Sequence, residues 1–159
     1  MISDALSLSF PLCDADETAR LGGWFAARLH AGDCLLLEGP IGAGKSHFCR
    51  ALIQTRLGRA EDVPSPTFTL VQTYQADVEI WHADLYRLTH PDEVLELGLE
   101  AAFDTGICLI EWPDRLGRHA PPHALRLRFQ QDGDGRLVTI DLGERQDLRA
   151  DLAKDFPDA

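Results

Sequence analysis

The apolar positions change period along the chain, and each change marks an element. Leu6, Leu8 and Phe10 alternate with serines, the period of two expected of a strand with one covered face. Asp14 or Asp16 then offers a helix cap. Ala19, Leu21, Trp24, Phe25 and Leu29 follow at near-helical spacing, and Ala31-Gly32 is a stop signal. Cys34-Leu35-Leu36-Leu37 is a short continuous apolar run, which suits a strand covered on both faces of a parallel sheet. A Gly-rich loop comes next, then a helical stretch over 45–57 closed by Gly58. Residues 68–74, rich in Thr and Val, and residues 77–83 read as two strands. His90-Pro91 opens a helix where Pro is best tolerated, and Gly98 ends or breaks it. Residues 107–110 form another apolar core strand, bounded by Glu111-Trp112-Pro113.

Beyond Pro121-Pro122 the alternation returns. Leu125, Leu127 and Phe129 alternate with Arg126 and Arg128, which are expected to face solvent; residues 137–142 alternate too. Asp132-Gly133-Asp134-Gly135 between them is a hairpin turn signal. Residues 144–159 are polar and predict a tail or a short fraying helix. The order predicts an α/β fold, three-layered, with a mainly parallel central sheet and a C-terminal antiparallel hairpin. With no repeat or linker, the 159 residues are expected to form one domain.

Composition narrows the partners. Lys+Arg is 15 against Asp+Glu 26, a net charge of -11, which argues against a broad phosphate-neutralising face for nucleic acid or an anionic membrane. No apolar run approaches the ~20 residues that span a bilayer, and the N-terminus lacks the basic start of a signal peptide. A cytoplasmic protein with reduced thiols is expected. Its four cysteines, Cys13, Cys34, Cys49 and Cys108, fit no zinc spacing. His82-Ala83-Asp84 is a weak metal signal, and a structural histidine is the better expectation.

One motif carries chemistry. Gly39-Pro40-Ile41-Gly42-Ala43-Gly44-Lys45-Ser46 is the P-loop pattern G-x-x-x-x-G-K-[ST], lying between an apolar strand and a helix as it must. Its glycines let successive amides turn toward phosphate oxygens at a helix N-terminus. Lys45 reaches the terminal phosphates, and Ser46 offers its hydroxyl to Mg²⁺. Such a site needs a carboxylate from a neighbouring strand end. Asp84 and Glu111 both qualify, and either could orient water. The chain has no Asn, so the N-K-x-D guanine signature is absent and ATP is expected.

Other residues leave alternatives open. Thr18 could reach the base or cap its helix. Tyr86 and Arg87 could contact a partner or the γ-phosphate, or form a turn with the ring on the core. Trp24 and Trp81 are expected in the core. A small-molecule kinase would need lid arginines, for which Arg115, Arg118, Arg126 and Arg128 are candidates. A binding module without hydrolysis would need only one of the two carboxylates.

Four segments together carry a resemblance: the loop, then Ser65-Pro66-Thr67-Phe68-Thr69-Leu70-Val71, His82-Ala83-Asp84-Leu85-Tyr86-Arg87-Leu88, and Ile107-Cys108-Leu109-Ile110-Glu111-Trp112-Pro113. In this order they resemble the TsaE (YjeE) family of bacterial ATPases needed for threonylcarbamoyladenosine in tRNA. The resemblance runs to about Arg115. It implies a P-loop NTPase fold, ATP hydrolysis with Mg²⁺, and action on a TsaB–TsaD pair, in which TsaD carries the transfer. It makes residues 65–69 a switch-I-like segment, with Thr67, Asp84 and Glu111 as the catalytic set. Ser46 and Glu111 would hold the metal. Gly39, Ile41, Gly42, Ala43, Gly44, Lys45, Ser46, His47 and Trp112 would line the nucleotide. Strong direct tRNA binding is not expected. Pro40-Ile41 replaces the family's usual Asp-Leu with little effect, and Ser46-His47 replaces Thr-Thr, removing one hydroxyl.

Overall fold

The computed structural model describes residues 7–157, so Leu6 of the expected first strand and the last two residues of the tail lie outside them. In chain order the elements are β1 (Ser7–Leu12), α1 (Ala15–Ala26), β2 (Cys34–Glu38), α2 (Lys45–Leu57), β3 (Val71–Gln75), β4 (Glu79–Asp84), α3 (Glu93–Leu97), α4 (Leu99–Thr105), β5 (Ile107–Glu111), β6 (Leu125–Asp132), β7 (Gly135–Asp141) and α5 (Arg149–Asp155). Short 3₁₀ turns occupy Pro113–His119 and Gln146–Leu148.

One sheet runs in the order β1-β7-β6-β2-β5-β4-β3. The four central strands β6, β2, β5 and β4 are parallel, and β3, β7 and β1 are antiparallel additions at its edges. This is the expected α/β architecture. The continuous apolar runs have their explanation in its layers. Leu35, Leu37, Ile107 and Leu109 pack beneath α1 and α2, while Cys34, Leu36, Cys108 and Ile110 pack against α3, α4 and Leu116. Both faces of β2 and β5 are covered, so both sets of alternating positions must be apolar. Helices α1 and α2 sit close because Gly22 is bare: a β-carbon there would lie 2.7 Å from the Phe48 carbonyl oxygen.

Strand direction gathers the site at one edge. The C-terminal ends of β2, β5 and β4 share it, as ligand-binding edges of parallel sheets do. Because β6 is parallel to β2, its hairpin turn reaches the same edge. Because β1 is antiparallel to β7, its end and the start of α1 arrive there too.

Several boundaries differ from expectation. Helix α1 ends at Ala26, short of Ala31-Gly32, because the Asp33 carboxylate accepts the His30 amide at 2.7 Å and turns the chain. Residues 68–70 are a turn, and β3 starts only at Val71. Leu70 adopts a left-handed φ of 67°, its amide donates to the Pro66 carbonyl, and Phe68 is 85% exposed. The helix opened by His90-Pro91 begins at Glu93, whose carboxylate accepts the Thr89 and His90 amides as a cap. Gly98 breaks the helical stretch, the second of the two expected outcomes: it closes α3 and opens α4 at a left-handed φ of 80°. The C-terminal segment forms the helical alternative and packs onto the fold. Leu148, Leu152 and Phe156 are buried, the Phe156 ring stacks on Phe10 at 5.0 Å, and Trp24 Nε1 donates to Asp155 Oδ2 at 2.9 Å. Three buried positions spread over nine residues are too sparse to stand out in a polar sequence. Trp24 is buried as expected, whereas Trp81 is half-buried with its Nε1 donating to Glu79. Arg126 and Arg128 are half-buried rather than solvated. Among the described residues, no helix is long and apolar enough to cross a membrane.

Candidate nucleotide site

The Gly-rich loop leaves β2 and enters α2 with Gly39, Gly42 and Gly44 at φ 143°, 82° and 105°. These left-handed angles need glycine. No side chain caps α2, so the positive end of its dipole faces outward into a cavity of about 550 Å³. Ile41, Gly42, Gly44, Lys45, Ser46, His47, Thr67, Asp84, Glu111 and Trp112 line it, joined by Arg50 and Tyr86. Ten of the expected site residues are therefore brought together. Gly39 and Ala43 support the loop from behind: the Gly39 carbonyl accepts from Lys45, and Ala43 is buried with its amide on the Pro40 carbonyl.

Lys45 is 4% exposed, yet its Nζ bonds to the Gly39 carbonyl at 2.6 Å rather than to a carboxylate, and lies 3.7 Å from the Trp112 ring centroid. Burial lowers its pKa below the ordinary lysine value, and the Glu111 and Asp84 charges oppose that shift only in part. The pocket thus holds a cation short of negative partners.

Asp84 and Glu111 face each other in register at the ends of β4 and β5. Their surroundings differ. Asp84 Oδ2 accepts from the Thr67 hydroxyl at 3.2 Å, and its Oδ1 accepts from the Tyr86 amide at 3.1 Å. Glu111 accepts the Ser46 hydroxyl at 3.2 and 3.3 Å and His82 Nε2 at 2.7 Å. Hydroxyl and carboxylate oxygens are the hard donors Mg²⁺ takes, so Ser46 and Glu111 fit that ion. The Cys49 thiol, the His82 imidazole and a Glu111 oxygen also lie within 4.8 Å of one another. Burial pushes the Cys49 thiol well up, and a thiol is a softer donor than the oxygens Mg²⁺ takes.

Trp112 stands at φ 59°, unusual for a bulky residue, and carries the Tyr86 ring at 4.9 Å on the way into the 3₁₀ turn. Tyr86 is 44% exposed, so it lies at the mouth of the cavity and not on the core. The Arg87 guanidinium lies 5.2 Å from the Phe68 ring and that of Arg115 5.9 Å from the Tyr86 ring. Arg118 pairs with Asp92. None of Arg115, Arg118, Arg126 and Arg128 is among the residues lining the cavity.

A second cavity of about 150 Å³ shares Gly44 and His47 with the first and is lined also by Thr18, Asp134 and Arg136. Thr18 is buried there, and Asp14 is the cap of α1, accepting the Glu17 amide at 2.9 Å. His47, in place of a hydroxyl residue, bonds through Nε2 to the Ala15 carbonyl at 3.0 Å. The sequence reading missed Arg50, Arg136 and the part played by His82. Arg50 lies one turn past the loop, its Nε donating to the Val63 carbonyl. Arg136 comes from the hairpin and donates to the Gly42 carbonyl at 2.9 Å. His82 shares a strand face with Asp84 but spends its nitrogen on Glu111, so the two are not a ligand pair. Only the spacing of His82 from Asp84 hinted at a common face.

Comparison with known proteins agrees with this geometry. Residues 12–138 match the family model described as threonylcarbamoyl adenosine biosynthesis protein TsaE. The chain is 36% identical over 143 residues to the tRNA threonylcarbamoyladenosine biosynthesis protein TsaE of Rickettsia conorii, covering 89% of this chain and 82% of that protein. It is 35% identical over 145 residues to the Bacillus subtilis protein of the same name, covering 89% and 90%. Its structure is similar to the crystal structure of Bacillus subtilis YdiB, with a TM-score of 0.78 and 28% identity over 94% of this chain and 95% of that one. The family match begins at the end of β1, passes through the loop and both strand-end carboxylates, and ends in the hairpin; the chain belongs to the TsaE family.

Proposed function

We propose that the chain binds ATP with Mg²⁺ and hydrolyses it as the ATPase of the tRNA threonylcarbamoyladenosine machinery, acting as one unit over residues 1–159 in the cytoplasm. The observation that carries this reading is the convergence of Lys45, Ser46, Thr67, Asp84 and Glu111 on one cavity at the N-terminus of α2. Lys45 and the loop amides bind the phosphates, which provide the anionic partner Lys45 lacks. Ser46 and Glu111 hold Mg²⁺, which screens phosphate charge when bound. Asp84 holds Thr67, and with it the 65–69 segment, beside the place where the terminal phosphate lies. Trp112 covers the phosphates from the β5 side. The second cavity, with Thr18 and Arg136, takes the base.

Turnover by the chain alone is slow, and a TsaB–TsaD pair accelerates it. Among the described residues Arg50 is the arginine that lines the cavity, and its Nε donates to the Val63 carbonyl; the Arg87 guanidinium lies at the Phe68 ring and that of Arg115 at the Tyr86 ring, both outside the lining. A stabilising arginine raises phosphoryl-transfer rates by ~10³–10⁵ where one is supplied. The net charge of -11 favours a basic protein surface over tRNA. The test measures phosphate release with and without purified TsaB–TsaD, together with a panel of small-molecule acceptors and filter binding of tRNA. Stimulated phosphate release that weakens with salt supports the reading. Phosphorylated acceptor would make the chain a kinase, and full activity alone with tight tRNA binding would make it a nucleic-acid-stimulated ATPase.

A further inference from the structure

We infer that His82 is a positioning residue for the metal-binding carboxylate: it clamps one oxygen of Glu111 so that the carboxylate stays turned toward Ser46. The inference rests on the nucleotide reading above and adds to it a residue that touches neither nucleotide nor metal.

The geometry begins with strand register. His82 pairs with Leu109, and Asp84 with Glu111, across the parallel strands β4 and β5. His82 and Glu111 are therefore diagonal neighbours, a separation that only long side chains bridge. They do so at 2.7 Å between His82 Nε2 and Glu111 Oε2, with both side chains almost fully buried at 1% and 3% exposure. A carboxylate accepts, so Nε2 carries the hydrogen and donates. His82 Nδ1 is buried and has no hydrogen-bond partner among the described residues. The ring therefore has one polar job, on Glu111.

A glutamate has three rotatable bonds, and the opposite contact is weaker. The Ser46 hydroxyl reaches both Glu111 oxygens at 3.2 and 3.3 Å, a long and shared bond. The short bond from His82 is thus what selects the rotamer. It also provides a buried carboxylate with a donor that does not leave when Ser46 changes partner. Outer groups of this kind typically tune metal affinity by ~10–100-fold.

The experiment titrates ADP into the full chain in excess EDTA and then across a Mg²⁺ series, for the wild type, His82→Leu and His82→Gln. Leu removes the donor and keeps the volume, whereas Gln carries an amide donor at similar reach. The expected result for His82→Leu is a Mg²⁺ midpoint raised ~10–100-fold, with affinity in EDTA within about twofold of wild type. His82→Gln should lie within about threefold of the wild-type midpoint, since its amide restores the bond. If His82→Leu fails to fold by circular dichroism, His82→Asn takes its place with the same expected rise, because its shorter amide does not reach Oε2. An unchanged midpoint in the Leu or Asn variant overturns the inference. So does His82→Gln as impaired as the donorless variant, or an equal loss of affinity in EDTA. A wild-type chain that binds ADP with no Mg²⁺ effect overturns the metal reading itself, whereas a wild-type effect untouched by the variants overturns only the role of His82.

Discussion

Replacing Lys45 by Met separates what the P-loop lysine does for the ligand from what it does for the fold. Met keeps the length of the stem and removes the charge. In the free protein the ammonium has two contacts, the Gly39 carbonyl at 2.6 Å and the Trp112 ring at 3.7 Å. Against them stands burial, which lowers the lysine pKa even with Glu111 and Asp84 nearby. Loss of a bond to a charged donor costs about 1.5–3 kcal/mol, and the ring contact adds about 0.5–2. Relief from desolvation offsets a comparable amount, so the free fold should change by no more than about 1 kcal/mol, or ~2–4 °C in melting midpoint at this size. Bound phosphates lose one charge-assisted bond, offset only in part because the variant has no Gly39 and Trp112 contacts to give up on binding. The expected loss is about 1.5–3 kcal/mol, roughly ten- to a hundredfold in ADP affinity. AMP supplies the control, because this lysine addresses the β- and γ-phosphates. Calorimetry with ADP and AMP on both proteins, with a melting curve for each, makes the comparison. Unchanged ADP affinity, or an equal loss for AMP, refutes the assignment of Lys45 to the terminal phosphates. A drop in melting midpoint of more than about 10 °C would show that the lysine is chiefly structural.

The two carboxylates should separate as well. Glu111→Gln should raise the Mg²⁺ requirement, while Asp84→Asn leaves ADP binding near normal and depresses hydrolysis because one acceptor oxygen remains for two donors, the Tyr86 amide and the Thr67 hydroxyl; a reversed pattern in a Mg²⁺ titration would reverse the roles. With Trp24 and Trp81 replaced by Phe, nucleotide should draw Lys45 off the Trp112 ring and change the remaining emission, and a folded, binding-competent variant with constant emission would contradict that movement. Phe156→Ala should cost about 3 kcal/mol in chemical denaturation, because the ring stacks on Phe10 and lies under the Arg20 guanidinium; no change would mean that the C-terminal segment frays after all. Asp77, Asp92 and Asp147 are held below the ordinary carboxylate range, first by hydrogen bonds from Arg56, His119 and Arg145 respectively. Their folded pKa values lie below the unfolded ones, so their contribution is complete above the unfolded value near ~4 and is lost as pH falls through the folded values. Melting midpoints should therefore be flat above about pH 5 and fall below about pH 4, and a flat profile down to about pH 2.5 would contradict these pairings.

How much of this was legible before the structure depends on how local each signal is. The phosphate loop is eight consecutive residues, and its glycines are required by backbone angles within the loop itself, so residue types alone declare it. The apolar runs at 34–37 and 107–110 declare two buried strands because no other short element needs every side chain apolar. The Asp-Gly-Asp-Gly turn declares the hairpin for the same local reason. The 65–70 segment shows the limit. The Thr and Val content of residues 68–74 imitates one strand that begins at Phe68, but Leu70 turns the chain first and Thr67 just before it reaches Asp84, and neither purpose is visible in composition.

What only the tertiary structure decided are the contacts whose partners lie far apart in the chain. Arg136 reaches the loop at Gly42 because β6 runs parallel to β2, which places the hairpin at the phosphate edge. His82 and Glu111 meet because β4 and β5 pair in one register, and a slip of one residue would turn them to opposite faces. The C-terminal segment looks polar in sequence, yet Phe10 and Trp24 wait for Phe156 on the covered side of the sheet. Sequence periodicity reports which face of an element is covered. It carries no record of which distant element does the covering, because that is set by strand order and chain crossing rather than by neighbouring residues.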